Sequence, residues 1–281
     1  MEHAHRLVRD AITWAPLVMI VSITTCIALE QVAVRLGRHH RTTGTRQSIV
    51  AALLYVATKG IVSKIVMFAL AIYVYRNWRL TTLDLNSPIT WIGVFVARDF
   101  AYYWIHRAEH ANPWLWASHQ IHHSSTEFSH TTAIRMPWME SVYKPMLGLW
   151  VPLIGFHPLA FAAMGAAVLA VGQWQHTELL AGRRPLDRWV VTPSVHRVHH
   201  GSNERYLDRN FSSMLSIWDR MFATFEPETE PVVYGLAGDH QLTTSRDMMV
   251  GGYPALVRGL GRQPSNRPGW PRRVGTVSPR C

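Results

Sequence analysis

The sequence predicts an all-α fold, an integral-membrane helical bundle carrying a cytoplasmic helical cap, and three observations lead there. Hydrophobic residues make up 48% of the 281 and charged residues only 16%, too few charges for an ordinary soluble surface. The apolar residues gather in runs long enough to cross a bilayer. Sixteen histidines nearly equal the 18 carboxylates, and half of them fall in three short clusters, so the polar part has a chemistry of its own. Twelve Trp and nine Tyr fit the same picture, because amphipathic rings collect at membrane–water interfaces. With Cys26 and Cys281 as the only cysteines, neither a disulfide framework nor a thiolate metal site can form. The net charge of +10 lies along the flanks of apolar runs and belongs to no recognition module, so nucleic acid is not expected as a partner.

Taken in order, the run from Ala11 to about Val34 is a retained span, and Arg35, Arg38, Arg41 and Arg46 form a basic loop after it. Lys59 and Lys64 sit badly in one straight span from Ser48 to Tyr75. Ser48–Gly60 is therefore read along the interface and Ile61–Tyr75 as the crossing, with Arg76, Asn77, Trp78 and Arg79 at the far surface. Ile89–Ile105 follows the turn at Asn86-Ser87-Pro88. It carries Arg98 and Asp99, which a span tolerates only where it faces protein or water. Val142 to Gln175, broken by Pro152, Gly155, His157 and Pro158, reads as a helical hairpin. That makes about four or five crossings, and the positive-inside rule puts the C-terminal part on the cytoplasmic side. Residues 1–260 form a single membrane-embedded domain. Residues 261–281, rich in Pro, Gly, Ser and Arg, read as a flexible basic tail suited to anionic headgroups.

The clusters are His106 and His110; His119, His122 and His123; and His196, His199 and His200. On a helix, positions i, i+3 and i+4 share a face, so each cluster aims two or three imidazoles at one region. Asp99 and Tyr103 extend the face of His106 and His110 backwards. Eight imidazoles exceed what one tetrahedral ion needs and suit two ions. His3, His5, His39, His40 and His240 read as ordinary polar residues, and His157 as a turn or interface residue. An all-imidazole set suits Zn, Cu, Fe or Ni. HRAEH at 106–110 also fits the H-x-x-E-H zinc-hydrolase pattern with Glu109 as general base, the alternative reading. It leaves two clusters without a role, and those clusters together with membrane embedding favour a redox-active metal pair.

The order H-x3-H, H-x2-H-H, H-x2-H-H resembles the signature of the fatty acid hydroxylase/sterol desaturase superfamily, the integral-membrane di-iron oxygenases. Asp99 through Arg107, Trp116 through Ser125, Thr192 through His200, and Ile217-Trp218-Asp219-Arg220-Met221-Phe222 carry the likeness, which covers about residues 85–235. The run at 122–135 and the stretch after Trp218 are similar to the branch containing glyceryl-ether monooxygenases. The resemblance implies two Fe2+ ions held by the eight box histidines and by His176, and no catalytic side chain apart from the ligands. It implies hydroxylation or desaturation of a lipid C–H bond, on a sterol, fatty acyl chain or ether lipid, with O2 and electrons from a donor protein or reductase. That branch uses tetrahydrobiopterin. Here Ala111 replaces its Glu after the first box, and Asn210-Phe211-Ser212 its Asn-Tyr-Gly, which weighs against the pterin. His130, seven residues after His123, is a lesser candidate ligand. Asp99, Asn210 and Asp219 are candidates for accepting the second N–H of a ligand imidazole.

Overall fold

A computed structural model describes residues 2–37, 44–180, 184–237 and 242–258. The predicted tail at 261–281, His39, His40 and His240 lie outside the described residues, as do the side chains of His3, His5 and Lys64. Among the described residues there is no strand, only one isolated bridge between Gly201 and Tyr234, and the fold is all-α.

Helix α1 (Glu2–Arg35) has 34 residues, about 51 Å of helix. Its segment Leu17–Arg35 is the described stretch long and apolar enough to cross a membrane by length and composition. Only 6% of that segment is buried, so its apolar side chains are open to the surroundings. It packs on α9, where the Ser22 hydroxyl donates to the Ala170 carbonyl at 2.7 Å. Glu30 is the exception on this exposed helix, since it is buried and accepts the His130 backbone N–H at 3.2 Å.

The expected break at Gly60 does not occur. Helix α2 (Thr45–Thr58) runs through a π-helical stretch, Lys59–Met67, into α3 (Phe68–Trp78). No proline interrupts this rod, and i→i+5 bonding absorbs the awkward Lys59-Gly60 step without a turn. Arg79 ends α3 by donating to the carbonyls of Tyr75 and Arg76, a cation at the negative end of the helix.

Helix α4 (Pro88–Ala111) starts on Pro88 and runs two turns beyond the predicted apolar stretch, which brings the first histidine pair onto it. Asn112 then caps α5 (Pro113–His123), its Oδ1 accepting from the N–H groups of Trp114 and Leu115. After α6 (His130–Ala133) the predicted hairpin appears only in fragments. Helix α7 (Glu140–Leu147) has eight residues and α8 (Trp150–Ile154) five, too short for a crossing apiece. Pro145 and Pro152 lie inside these helices, and the breaks fall at Gly148-Leu149 and at Gly155, where φ is +128 and a Cβ would meet the Thr81 carbonyl. Helix α9 (Pro158–Gly172), 15 residues, is the longest piece of the hairpin. Short helices complete the described residues: α10 (Arg184–Asp187), α11 (Pro193–His200), α12 (Ile217–Met221), α13 (Ser245–Val250) and α14 (Tyr253–Val257).

Two apolar clusters brace the histidine-bearing helices. Ala51, Ile121, Leu236, Leu242 and Met248 hold α5 against α2 and α13. Tyr103, Phe211 and Trp218, with Phe100, Leu215, Ile217 and Phe222, fasten the segment 211–222 to α4.

Candidate metal centre

Nine histidines converge from four places. His106 and His110 stand on α4, and His119, His122 and His123 on α5. His176 follows a 3-10 turn that Gln175 anchors to the carbonyls of Val191 and Ser213 at 3.0 and 2.8 Å. His196, His199 and His200 stand on α11, whose first turn Pro193 opens and the Thr192 hydroxyl caps. Every residue of α11 is buried, so an eight-residue helix with three imidazoles has been placed in the interior.

The nine divide into two groups. The first holds His106, His110, His119, His123 and His199; the second holds His122, His176, His196 and His200. Within each group the ligand-capable atoms lie within 4.8 Å of one another. Both are fully buried.

Hydrogen bonds on the far side of several rings fix the tautomers. The Nδ1–H of His106 donates to the Phe211 carbonyl at 2.8 Å, that of His122 to the Arg135 carbonyl at 3.2 Å, and that of His199 to the Arg209 carbonyl at 2.9 Å. His119 Nδ1–H donates to Glu140 Oε1 at 2.7 Å, and His110 Nδ1–H to Asp208 Oδ1 at 3.1 Å. A carbonyl or carboxylate only accepts, so each of these neutral rings carries its proton on Nδ1 and a lone pair on Nε2. Yet His106 Nε2 lies 3.0 Å from His119 Nε2. Two lone pairs at that distance repel and cannot hydrogen-bond. Nitrogens about 2.0–2.1 Å from one cation sit about 3.0–3.4 Å apart, so a metal between them removes the conflict. The other close pairs have the same spacing: His123 to His119 at 3.2 Å, His196 to His176 at 3.0 Å and His176 to His122 at 3.4 Å, all between Nε2 atoms. Nε2 of His199 and of His200 are buried with no hydrogen-bond partner, as expected of atoms that await an ion.

Burial disfavours imidazolium throughout. It lowers His122 to about 4, and with the neighbouring rings it holds His106, His119, His123, His176, His196, His199 and His200 well below the ordinary 6.5. A histidine whose folded pKa is depressed stabilises the fold above the unfolded pKa and loses that stabilisation as pH falls toward the folded one. The metal-free protein is therefore expected to be acid-labile, by up to about 1.4 kcal/mol per histidine per pH unit below 6.5. Thermal unfolding of chelator-treated protein at pH 7.5 and 5.5 measures this, and equal midpoints would contradict it.

The other predicted residues go elsewhere. His130 belongs to neither group, because its Nδ1–H donates to the Gln173 carbonyl at 2.9 Å. Asp99, Asn210 and Asp219 bind backbone groups, an indole and the Thr224 hydroxyl, not imidazole. Asp99 accepts from the N–H groups of Met214 and Leu215 and from Trp218 Nε1, at 2.9–3.0 Å. Asp219 accepts from Phe211 and Ser212 N–H at 2.7 and 3.0 Å, so it holds the strand of chain whose carbonyl takes His106, one step further out than expected. Asn210, at φ 58, ties Val195 to Glu226. The Tyr103 hydroxyl meets Thr224 at 3.0 Å. Glu109 is enclosed: Tyr143 donates to it at 2.6 Å and Lys144 at 3.2 Å, and it faces the outer nitrogen of His119 at 3.6 Å. A general base must reach the metal's open side, and this carboxyl lies behind a ring. The partners that do hold imidazoles, Glu140 and Asp208, gave no sign in the sequence.

The comparisons with known proteins agree with this geometry. A family model described as fatty acid hydroxylase matches residues 91–224. Alkylglycerol monooxygenase of Xenopus tropicalis is 42% identical over 179 residues, 64% of this chain and 40% of that protein. The human alkylglycerol monooxygenase is 39% identical over 183 residues, again 64% and 40%. Ornithine lipid hydroxylase OlsE of Rhizobium tropici is 29% identical over 141 residues, 50% of this chain and 42% of that protein. The chain spans about two fifths of the length of these relatives. No solved structure matches it. The matched span encloses all nine clustered histidines, so the likeness to the fatty acid hydroxylase family falls on the stretch of chain that builds the site.

Proposed function

We propose that the chain is a membrane-bound di-iron oxygenase that hydroxylates, or desaturates, a C–H bond of a lipid, with its iron held by the nine histidines. The observation that carries the metal is the pair of Nε2 lone pairs of His106 and His119, 3.0 Å apart in a buried site. The likeness to monooxygenases and lipid hydroxylases supports iron and O2 over hydrolytic zinc. Bound there, two ferrous ions would supply the O2 activation that an unactivated C–H bond requires. The chain's own residues do the rest. Phe211, Arg135 and Arg209 carbonyls, with Glu140 and Asp208, hold five rings in the tautomer that presents Nε2. Burial excludes water and keeps the imidazoles neutral, hence able to bind a cation at pH 7.

The exposed segment Leu17–Arg35 and the apolar Ile65–Trp78 support insertion in a bilayer. About four or five crossings, with the histidines and the C-terminal part on the cytoplasmic side, complete the topology we propose. Substrate then enters from lipid, and a donor protein or reductase supplies electrons from the water side. The departures at Ala111 and Phe211-Ser212 weigh against tetrahydrobiopterin as the reductant.

Metal analysis of anaerobically purified protein is expected to give close to two irons per chain. Reduced protein should consume O2 and add a hydroxyl or a double bond to a lipid found by comparing lipid extracts with and without an active copy. One zinc and no iron would overturn the reading in favour of a hydrolase.

A further inference from the structure

Along one face of α4, Arg98, Tyr102 and His106 follow one another at i, i+4 and i+8. The Tyr102 ring lies 5.2 Å from that of His106. Arg98 is two turns, about 12 Å, before the metal centre along the helix axis. Its guanidinium is packed on purpose-shaped neighbours: it lies against Gly165 of α9, where a Cβ would come within 2.8 Å of its central carbon, and over the Phe161 ring at 5.4 Å. It has no anion. The carboxylate beside it in sequence, Asp99, is fully engaged with Met214, Leu215 and Trp218. Among the described residues Arg98 makes no hydrogen bond or ion pair, and its Nε is buried without a partner. The Tyr102 hydroxyl likewise donates to no described residue. A guanidinium left uncompensated on an apolar helix is costly, and arginine's fork fits the oxyanions of carboxylates and phosphates.

We propose that Arg98 and Tyr102 receive the oxyanion of an acidic lipid, a long-chain carboxylate or phosphate monoester, whose chain runs along α4 toward the histidines. This names the substrate class of the site proposed above and rests on that reading for its catalytic meaning. The binding itself stands apart, because it needs neither iron nor turnover.

Equilibrium binding to the full chain in phosphatidylcholine nanodiscs tests it, with palmitate, palmitoyl lysophosphatidate and monopalmitoylglycerol as probes and inorganic phosphate as the headgroup without a tail. At least one acidic lipid is expected to bind ten-fold or more tighter than the neutral one, and which acid wins tells carboxylate from phosphate. Arg98→Met should abolish that preference, and Arg98→Lys should keep part of it. Gly165→Ala, which displaces the guanidinium without removing it, should weaken acidic-lipid binding several-fold. Equal affinity of wild type for acidic and neutral lipids, or a preference that survives Arg98→Met, overturns the proposal. So does tight binding of phosphate alone that is indifferent to the chain. Should anaerobically purified protein hold no iron and consume no O2 while the Arg98-dependent preference persists, the oxygenase reading falls and this one stands.

Discussion

On the di-iron reading, His122→Ala is expected to abolish turnover and to leave about one iron per chain, against about two expected of the wild type. The reason lies in how the nine rings divide. The group of His122, His176, His196 and His200 falls from four donors to three, whereas the group of His106, His110, His119, His123 and His199 keeps all five. Losing a partner that merely orients a ligand costs about 10–100-fold in metal affinity, and losing the ligand itself costs more. Iron per chain by mass spectrometry, read beside O2 consumption, measures both effects. His130→Ala is the control: that ring donates to Gln173 and stands outside both groups, so two irons should remain. Full occupancy in His122→Ala would remove it from the ligand set, and loss of both irons would show that the groups do not fill independently.

That division was not legible in the sequence, although its ingredients were. The spacing i, i+3, i+4 identified each cluster and suggested that its members aim together. In the structure the i and i+4 rings of α5, His119 and His123, join one group while the i+3 ring, His122, joins the other. Helix α11 does the reverse: His196 and His200 join the second group, and His199 crosses to the first. Positions i+3 and i+4 differ by about 100° around a helix, so one H-x2-H-H box naturally serves two points. Which point receives which ring depends on how α4, α5 and α11 pack, and that is tertiary information. His176 had no helical spacing to mark it, and only the resemblance to the family pointed to it. Asp99 and Asp219 are expected to take the second N–H of a ligand imidazole, but they accept instead from backbone N–H groups, the Trp218 indole and the Thr224 hydroxyl, brought near from a hundred residues away or from a turn. The apolar runs are helical as expected, while their lengths differ: breaks at Gly148-Leu149 and Gly155 divide 142–175 more finely than the hydropathy indicates.

Lys144→Met is expected to be the most destabilising single change outside the histidines, at about 3–5 kcal/mol against a whole stability of about 5–15. Lys144 Nζ lies 2.6 Å from Glu140 Oε2 and 3.2 Å from Glu109 Oε1, and both carboxyls are fully buried, with at most 1% of either side chain exposed. Burial pushes the Glu109 carboxyl up, and the carboxylate that lies closest to the ammonium is that of Glu140. Removing the ammonium leaves that charge with only the His119 N–H, 2.7 Å away, to compensate it. The melting midpoint should fall by many degrees. The double variant Lys144→Met, Glu140→Gln takes out the cation and the anion together and should recover most of the loss, since an amide oxygen still accepts from His119. It should not recover the metal. Without the carboxylate the ring is a weaker base toward iron, and affinity in the five-histidine group should stay about 10–100-fold down. Stability and iron binding thus separate in one pair of variants. A Lys144→Met protein that melts with the wild type would mean that this buried triad is not the electrostatic unit its distances describe.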